Sequence, residues 1–319
     1  MRSHYYHLYG VTLQSEIVFP EFAALETKRP TQRPEILFRQ TAPRPLSKNG
    51  IHRPPPRSTI WSKQGRAVTI EAALSGQFRV RIPQREIVWQ PSSPTASTGL
   101  ARAILKGDAL ATLLTGLPSY LVLHGNVVHI DGKTVALCAP SRTGKSTLTS
   151  CLLAIGARLH SDDLVVLRYE KGLFWAEPGP PELRLWPRSA LFANRLRLKK
   201  ERVYPETRKN RFRLGLQHST SLLGKAIPLH AVYFMWRKSG GVTQILSLAP
   251  RERLECVFRS LYPLAYQNTG ILAKQFALAA KLTESVPLKS LSFPSGYAKL
   301  PAIRSVLMEN LKGWPGRKL

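Results

Sequence analysis

The run Ala139-Pro140-Ser141-Arg142-Thr143-Gly144-Lys145-Ser146 constrains the fold of this chain more than any other eight residues. It follows an apolar segment, Thr134 to Cys138, and precedes a stretch of helical character, about Lys145 to Ile155, that Gly156 closes. A strand, a tight loop ending Gly-Lys-Ser and a helix form the context in which backbone N–H groups curl around phosphate oxygens. The lysine then reaches the terminal phosphates, and the serine hydroxyl holds a divalent cation. Thr147 stands behind Ser146, and Ala139 occupies the place where the usual pattern begins with glycine. A β-carbon there asks only for a backbone angle that an L-residue tolerates. The sequence therefore predicts an altered but competent nucleotide-binding loop over residues 139–147. The plain alternative is a Ser/Gly loop that merely caps a helix.

The next segment adds a second signal. Ser161-Asp162-Asp163 opens the strand Leu164 to Leu167, in a chain with only 19 acidic residues. In parallel α/β sheets ligands gather at strand ends, so these two carboxylates are expected to face the phosphates. One can hold Mg²⁺ and the other can accept the proton of an attacking hydroxyl. An exposed turn or helix-capping pair is the alternative, which the adjacent loop argues against.

Charge decides which partners are drawn in. The chain carries 47 basic and 19 acidic residues, a net +28, which concentrates anions around it without specifying a fold. A nucleotide, an acidic peptide and nucleic acid all fit that field. Basic residues crowd positions 188–213, including Arg195, Arg197, Lys199, Lys200, Arg202, Arg208, Lys209, Arg211 and Arg213. Such a segment can place an arginine on a transferring phosphoryl group, dock an acidic peptide or grip a phosphate backbone, or it can be a solvated loop. Arg211 and Arg213 are the expected phosphate clamps, with Arg184 beside them. No recognition-helix, zinc-finger or RNA-stacking motif supports a nucleic-acid partner. Cys138, Cys151 and Cys256 are odd in number and widely spaced, which suits buried thiols in a reducing cytosol rather than disulfides or a zinc site. No run is long and apolar enough to span a bilayer, and no signal-peptide pattern opens the chain. A cytoplasmic location without membrane association is the expectation.

At 319 residues the chain has room for two domains. Residues 1–97 read as β-rich, with strand patterns at Tyr5–Val11, Glu35–Arg39, Val68–Ala72, Phe78–Ile82 and Ile87–Gln90. Lys28 to Pro56 is rich in Pro and Arg, as a loop would be, and Pro91 to Ser97 is the expected linker. Residues 98–319 then form an α/β nucleotide-binding domain. A helix is expected over Leu100–Leu114, separate strands over Tyr120–Leu123 and Val127–Ile130, and an Asp131-Gly132 hairpin turn. Strands at Leu229–Trp236 and Thr243–Leu248 and helices at Ile271–Leu282 and Pro301–Leu311 complete the reading. Trp175 or Trp186 can stack on an adenine ring, although core packing is the commoner fate.

Four segments together carry a family resemblance: His124-Gly125, the loop ending Gly144-Lys145-Ser146, Gly156 to Asp163, and Glu182-Leu183-Arg184. Over roughly Leu121 to Arg237 the chain resembles the catalytic domain of HPr kinase/phosphorylase. It is more similar still to the shorter HPr-kinase-like proteins encoded beside lasso peptide clusters. Those share an opening like Tyr9 to Glu16 and a segment like Pro181 to Pro187. The resemblance implies a phosphoenolpyruvate-carboxykinase-like core, ATP with Mg²⁺, and phosphorylation of a serine, typically the C-terminal one, of a ribosomal precursor peptide. It implies that Lys145 binds the β- and γ-phosphates, Ser146 holds the metal, Asp162 and Asp163 divide metal and general-base duty, Glu182 supports the metal, and His124 lies near the acceptor. HPr kinases proper form hexamers, so an oligomer is compatible with it. Ala139 and Arg142 replace family glycines, and the family's phosphorolysis signature is not visible. The competing readings are a kinase of a small hydroxylated metabolite or of another protein serine, and a nucleotide-gated nucleic-acid-binding protein.

Overall fold

A computed structural model describes residues 3–46, 58–61, 66–190, 193, 196–205, 207–262 and 268–312. Residues 47–56 of the expected Lys28–Pro56 loop therefore lie outside the described residues, while Ile36 and Phe38 within it are buried strand residues.

Alternation drives the first layer. Strands β1 (His4–Leu8), β2 (Val11–Ser15), β3 (Glu26–Thr27), β4 (Ile36–Gln40), β5 (Ser58–Trp61), β6 (Ala67–Ala72), β7 (Gly76–Arg81) and β8 (Glu86–Pro91) form one mixed sheet in the order β3-β1-β2-β4-β8-β7-β6-β5. In β7 Phe78 and Val80 are buried while Arg79 is exposed, the period of two that a one-sided sheet requires. The buried face meets two helical stretches, α1 (Thr98–Ile104) and α2 (Leu110–Gly116), joined by a π-turn over Leu105–Ala109. The Ser97 hydroxyl caps α1 by accepting from the Leu100 amide. The expected single helix is thus present but carries an inserted π-bulge, and Lys106, Gly107 and Asp108 sit in it.

The second sheet holds nine strands around a long central one, β9 (Tyr120–Ile130). Its order is β17-β13-β12-β9-β10-β18-β20-β19, formed by β10 (Lys133–Cys138), β12 (Leu164–Glu170), β13 (Leu173–Ala176), β17 (Ile227–Pro228), β18 (Ala231–Lys238), β19 (Gln244–Ser247) and β20 (Leu288–Pro294). The ninth strand, β11 (Arg158–Ser161), also pairs with β9. Asp131 and Gly132 both take positive φ, 49° and 74°, and turn β9 into β10 as the sequence predicts.

Side-chain alternation again assigns the faces. Val135 and Leu137 of β10 pack with α3 (Lys145–Leu153) and α6 (Leu300–Lys312). Ala136 and Cys138 pack with α4 (Pro250–Ser260) and α5 (Thr269–Ser285). At its other end β9 turns Tyr120 and Val122 into the core of the first sheet. A small third sheet, β14 (Glu182–Leu185), β16 (Asn210–Arg213) and β15 (Lys200–Arg202), covers the loop helix.

Two expectations need correction. Residues 120–130 form one strand, not two, because His124 stays paired with Leu164 on one side while Gly125 and Asn126 stay paired with Cys138 and Leu137 on the other. A β-carbon on Gly125 would lie 2.7 Å from the Leu137 carbonyl oxygen and 2.9 Å from Val165, so only glycine allows that close passage. The sheet around the acidic doublet is also antiparallel rather than parallel. β11 and β12 both run against β9, Asp162-Asp163 is the two-residue break between them, and the register shifts just before it, between Leu159 and Ser161. Within this sheet, parallel strand pairing is confined to β10-β18 and β18-β20.

Candidate functional site

The loop is built so that four of its carbonyls are engaged by cations while the amides that open its helix are left facing outward from the helix start. Gly144 (φ 114°) caps α3, whose first backbone bond runs from the Leu148 amide to the Gly144 carbonyl. The amides of residues 145–147 precede it and have no partner inside the helix, where the dipole also favours an anion. Lys145 is buried, and its ammonium donates to the carbonyls of Ala139 (2.6 Å) and Pro140 (3.2 Å). Arg237, at the end of β18, donates to the carbonyls of Arg142 (3.1 Å) and Thr143 (2.8 Å). Two cations therefore hold four carbonyls. Ala139 has no positive φ, in line with its β-carbon, while Arg142 sits at φ 68°, a left-handed position that suits glycine better.

The third donor of Lys145 faces His124, with the ammonium 3.1 Å from Nε2. His124 Nδ1 lies 3.1 Å from the Asp163 carbonyl oxygen. A carbonyl only accepts, so Nδ1 carries the proton and Nε2 accepts from the lysine. Burial, then the charge of Lys145, lowers the His124 pKa, which keeps the ring neutral. His124 thus ties the lysine to the acidic doublet.

The two aspartates differ in what they touch. Asp162 is buried; one oxygen accepts from the Arg184 amide at 2.8 Å, and the other lies 3.4 Å from the Ser146 hydroxyl. Burial, then the neighbouring Asp163 charge, pushes its carboxyl up. Asp163 is half-buried at φ 66° and is gripped by Arg184 Nη2 at 2.7 Å, with the Lys209 ammonium 3.6 Å away. Burial opposes its ionisation, but Arg184 and Lys209 prevail and hold its carboxyl below the usual range. Asn126, fully buried, joins the halves of the site: it donates to Thr149 of α3 (3.0 Å) and accepts from the Asp163 amide (3.3 Å).

A magnesium ion fits the Ser146–Asp162 pair. Adjacent ligands of an octahedral ion at about 2.1 Å stand roughly 3 Å apart, close to the observed oxygen separation. Among the described residues no group of three or more His, Cys, Asp or Glu side chains could hold a metal. Two protein oxygens with phosphate and water supplying the rest is how magnesium is commonly held.

His124, Lys145, Ser146, Asp163 and Arg184 open on a cleft of about 890 Å³, while Asp162 and Asn126 are buried behind them. Ser141 to Leu148 form one wall, and Arg184, Arg188, Arg208 and Lys209 bring positive charge to it. Phe293, Pro294, Tyr297, Leu300 and Ile303 give an apolar end suited to a nucleoside base, and Trp186 borders it. Trp175 instead pairs with Pro228 between β13 and β17, away from the cleft. The Thr147 hydroxyl donates to Ser189 (2.8 Å).

Three expected residues stand elsewhere. Glu182 is not at the metal position; its carboxylate is buried against Lys106, 2.5 Å away, with the Arg184 and Arg211 Nε atoms at 3.7 and 3.8 Å. Arg211 is spent on Glu21 (2.8 Å) and Glu201 (3.0 Å), and Arg213 on Glu201 and the Pro20 carbonyl. Neither lines the cleft, so neither is a phosphate clamp here. The acids that took them are Glu21, about 190 residues away in the chain, and Glu201 on the adjoining strand. Conversely, Asn126, Lys209 and Arg237 serve the site without having been singled out for it. A basic residue ending an apolar strand marked Arg237; nothing local marked Asn126.

The strand that delivers the doublet is pinned by a buried histidine. His160 Nε2 donates to the Ala176 carbonyl (2.9 Å), and Nδ1 accepts from the Thr220 hydroxyl (3.0 Å). Burial drops its pKa from 6.5 to about 4. A depressed folded-state value gives stability that is complete above pH 6.5 and is lost as pH falls toward 4. The expected loss is roughly 3 kcal/mol at about 1.4 kcal/mol per unit. Urea midpoints at pH 7 and 4.5 would show it, and His160→Gln should flatten that part of the profile.

No family model matches the chain, and no curated protein matches its sequence. Among solved structures it is similar to the HPr(Ser) kinase/phosphatase from Coxiella burnetii, at 11% identity over 60% of this chain and 90% of that one, with a TM-score of 0.34. So distant a likeness adds nothing to the geometry. No helix among the described residues is long and apolar enough to cross a membrane.

Proposed function

We propose that this chain is an ATP-dependent kinase that transfers the γ-phosphoryl group to a hydroxyl, with a peptide serine as the first candidate. One observation carries the reading: Lys145, Ser146 and Asp163 line one cleft, His124 links the lysine to Asp163, and buried Asp162 lies 3.4 Å from the Ser146 hydroxyl. The unpaired amides of residues 145–147 would cradle the phosphates and Ser146 with Asp162 would hold Mg²⁺, which when bound neutralises charge on the β- and γ-phosphates. Asp163 is the remaining carboxylate. Its oxygens face Arg184 and Lys209 and are positioned to take the proton from an entering hydroxyl. The resemblance to lasso peptide kinases, with its carboxykinase-like core, favours a serine of a ribosomal precursor peptide.

Incubation with Mg-ATP and a synthetic peptide bearing one serine should add the mass of one phosphoryl group. Asp163→Asn should slow that transfer at least about 100-fold with nucleotide affinity kept within a few-fold. Equal turnover by Asp163→Asn and the native protein would remove the proposed base.

A further inference from the structure

We infer that the acceptor enters through a second cavity, behind Asp163 as seen from the phosphate loop, and that it is a hydroxylated anion read by Arg259. The inference rests on the kinase reading above and adds the route and the chemistry of the acceptor.

The second cavity has a volume of about 500 Å³. It shares His124, Ser141, Asp163, Arg184 and Lys209 with the nucleotide cleft, so these five residues form the partition between the two. The cleft owns the loop from Arg142 to Leu148, whereas the cavity owns Ala139 and Pro140 at the loop's start. In phosphoryl transfer the entering and leaving oxygens lie roughly in line on opposite sides of phosphorus. A triphosphate lying along the loop's amides puts its terminal phosphorus at the partition. Its leaving oxygen is then on the cleft side, and the entering hydroxyl has to come from the cavity side. There the acceptor oxygen bonds to the γ-phosphorus, its proton goes to a carboxylate oxygen of Asp163, and the bond to the β–γ bridging oxygen breaks. ADP departs with that electron pair.

The chemistry of the walls selects the acceptor. Beyond the partition the cavity is lined by Gly107, Tyr204, Thr207, Arg259 and Tyr262, among others. Arg259 is the one further cation among the described lining residues, and Asp108 the one further acid, which accepts the Tyr262 hydroxyl. Arg259 bonds Glu255 one helical turn back on an exposed face, at 2.6 Å, a surface pair worth only a few tenths of a kcal/mol and easily exchanged. Its backbone is nevertheless anchored close by. The chain after it is tied to β9, because Leu261 bridges Leu123 and the Tyr262 amide donates to Val122 (3.1 Å), just before His124. A molecule with a hydroxyl at Asp163 and an anionic group toward Arg259 fits a cavity of this size. It can be a free hydroxy acid or the end of a peptide chain.

Gly107 allows a direct test, since nothing lies within 4 Å of where its β-carbon would stand. Transfer from Mg-ATP would be measured to free L-serine, to a peptide with a terminal serine carboxylate, and to the same peptide amidated. Gly107→Phe and, separately, Arg259→Ala should each raise the acceptor KM at least tenfold while Mg-ATP affinity stays within twofold. Arg259→Lys should recover part of the loss. Preference for L-serine or for the terminal carboxylate peptide tells which source the cavity takes. Equal use of the amidated peptide, or an unchanged acceptor KM in Gly107→Phe, overturns the inference while leaving the kinase reading intact. Absence of transfer to every acceptor by a native protein that binds Mg-ATP sinks the kinase reading itself.

Discussion

Lys145→Met should reduce phosphoryl transfer about 100- to 1,000-fold and weaken Mg-ATP binding at least tenfold. The first effect follows from losing the cation that meets charge developing on the transferring group, for which a single lost donor costs about 10²–10³ in rate. The second follows from the loop itself. The ammonium holds the Ala139 and Pro140 carbonyls on its own side, and Met, similar in length but without donors, releases both. Two backbone carbonyls near the phosphate path then repel the nucleotide. His124 would also lose its donor, so the link from the loop to Asp163 breaks in the same variant. Lys145→Arg is not expected to restore activity, because a planar fork cannot replace three divergent donors in a buried niche. Isothermal titration with Mg-ATP and single-turnover transfer separate the two effects. Native-like binding by Lys145→Met would mean that the loop is not where the phosphates lie.

Lys106→Met should destabilise the protein by about 3–5 kcal/mol, the usual result of removing one partner from a buried ion pair. Lys106 and Glu182 are 3% and 4% exposed, and no water-rich surface is available to the carboxylate once the ammonium is gone. Burial lowers the Lys106 pKa, and Glu182 works against that shift. Glu182 would be left with only the long approaches to Arg184 and Arg211. For a chain of this length the melting temperature should fall by roughly 5–8 °C. Lys106→Met combined with Glu182→Met should recover much of that loss, since it leaves no buried unpaired charge. The pair sits beside Arg184, which holds both aspartates, so the single variant should also lose transfer activity while keeping the phosphate loop. A single variant as stable as the native protein would show that this pair is not the strut between the π-turn and the doublet.

Local rules carried the reading a long way. The Asp131-Gly132 turn, the alternation of β7, the loop with its helix and the two late helices all stand within a few residues of where the sequence puts them. Each depends on contacts among near neighbours in the chain. The helix Pro250–Ser260 obeys the same local rules. It begins with proline at its first position and Glu252 reaching back to the Ala249 amide, both start signals. The splitting of β9 failed for a different reason. His-Gly-Asn looks like a break in a single strand, but Gly125 is there because the two flanking strands, β10 and β12, crowd it, which no local pattern reports.

By itself the sequence determined where a phosphate-binding loop can form and that two carboxylates follow it closely, because spacing, turn chemistry and helix starts are written locally. Only the tertiary structure decided which charges serve the site. Arg211, Arg213 and Glu182 were reasonable candidates until Glu21, Lys106 and Glu201 claimed them, and Arg237 joined the loop from a strand nearly a hundred residues away. A buried charge must take whichever opposite charge the fold brings within reach, and that partner is set by packing rather than by position along the chain.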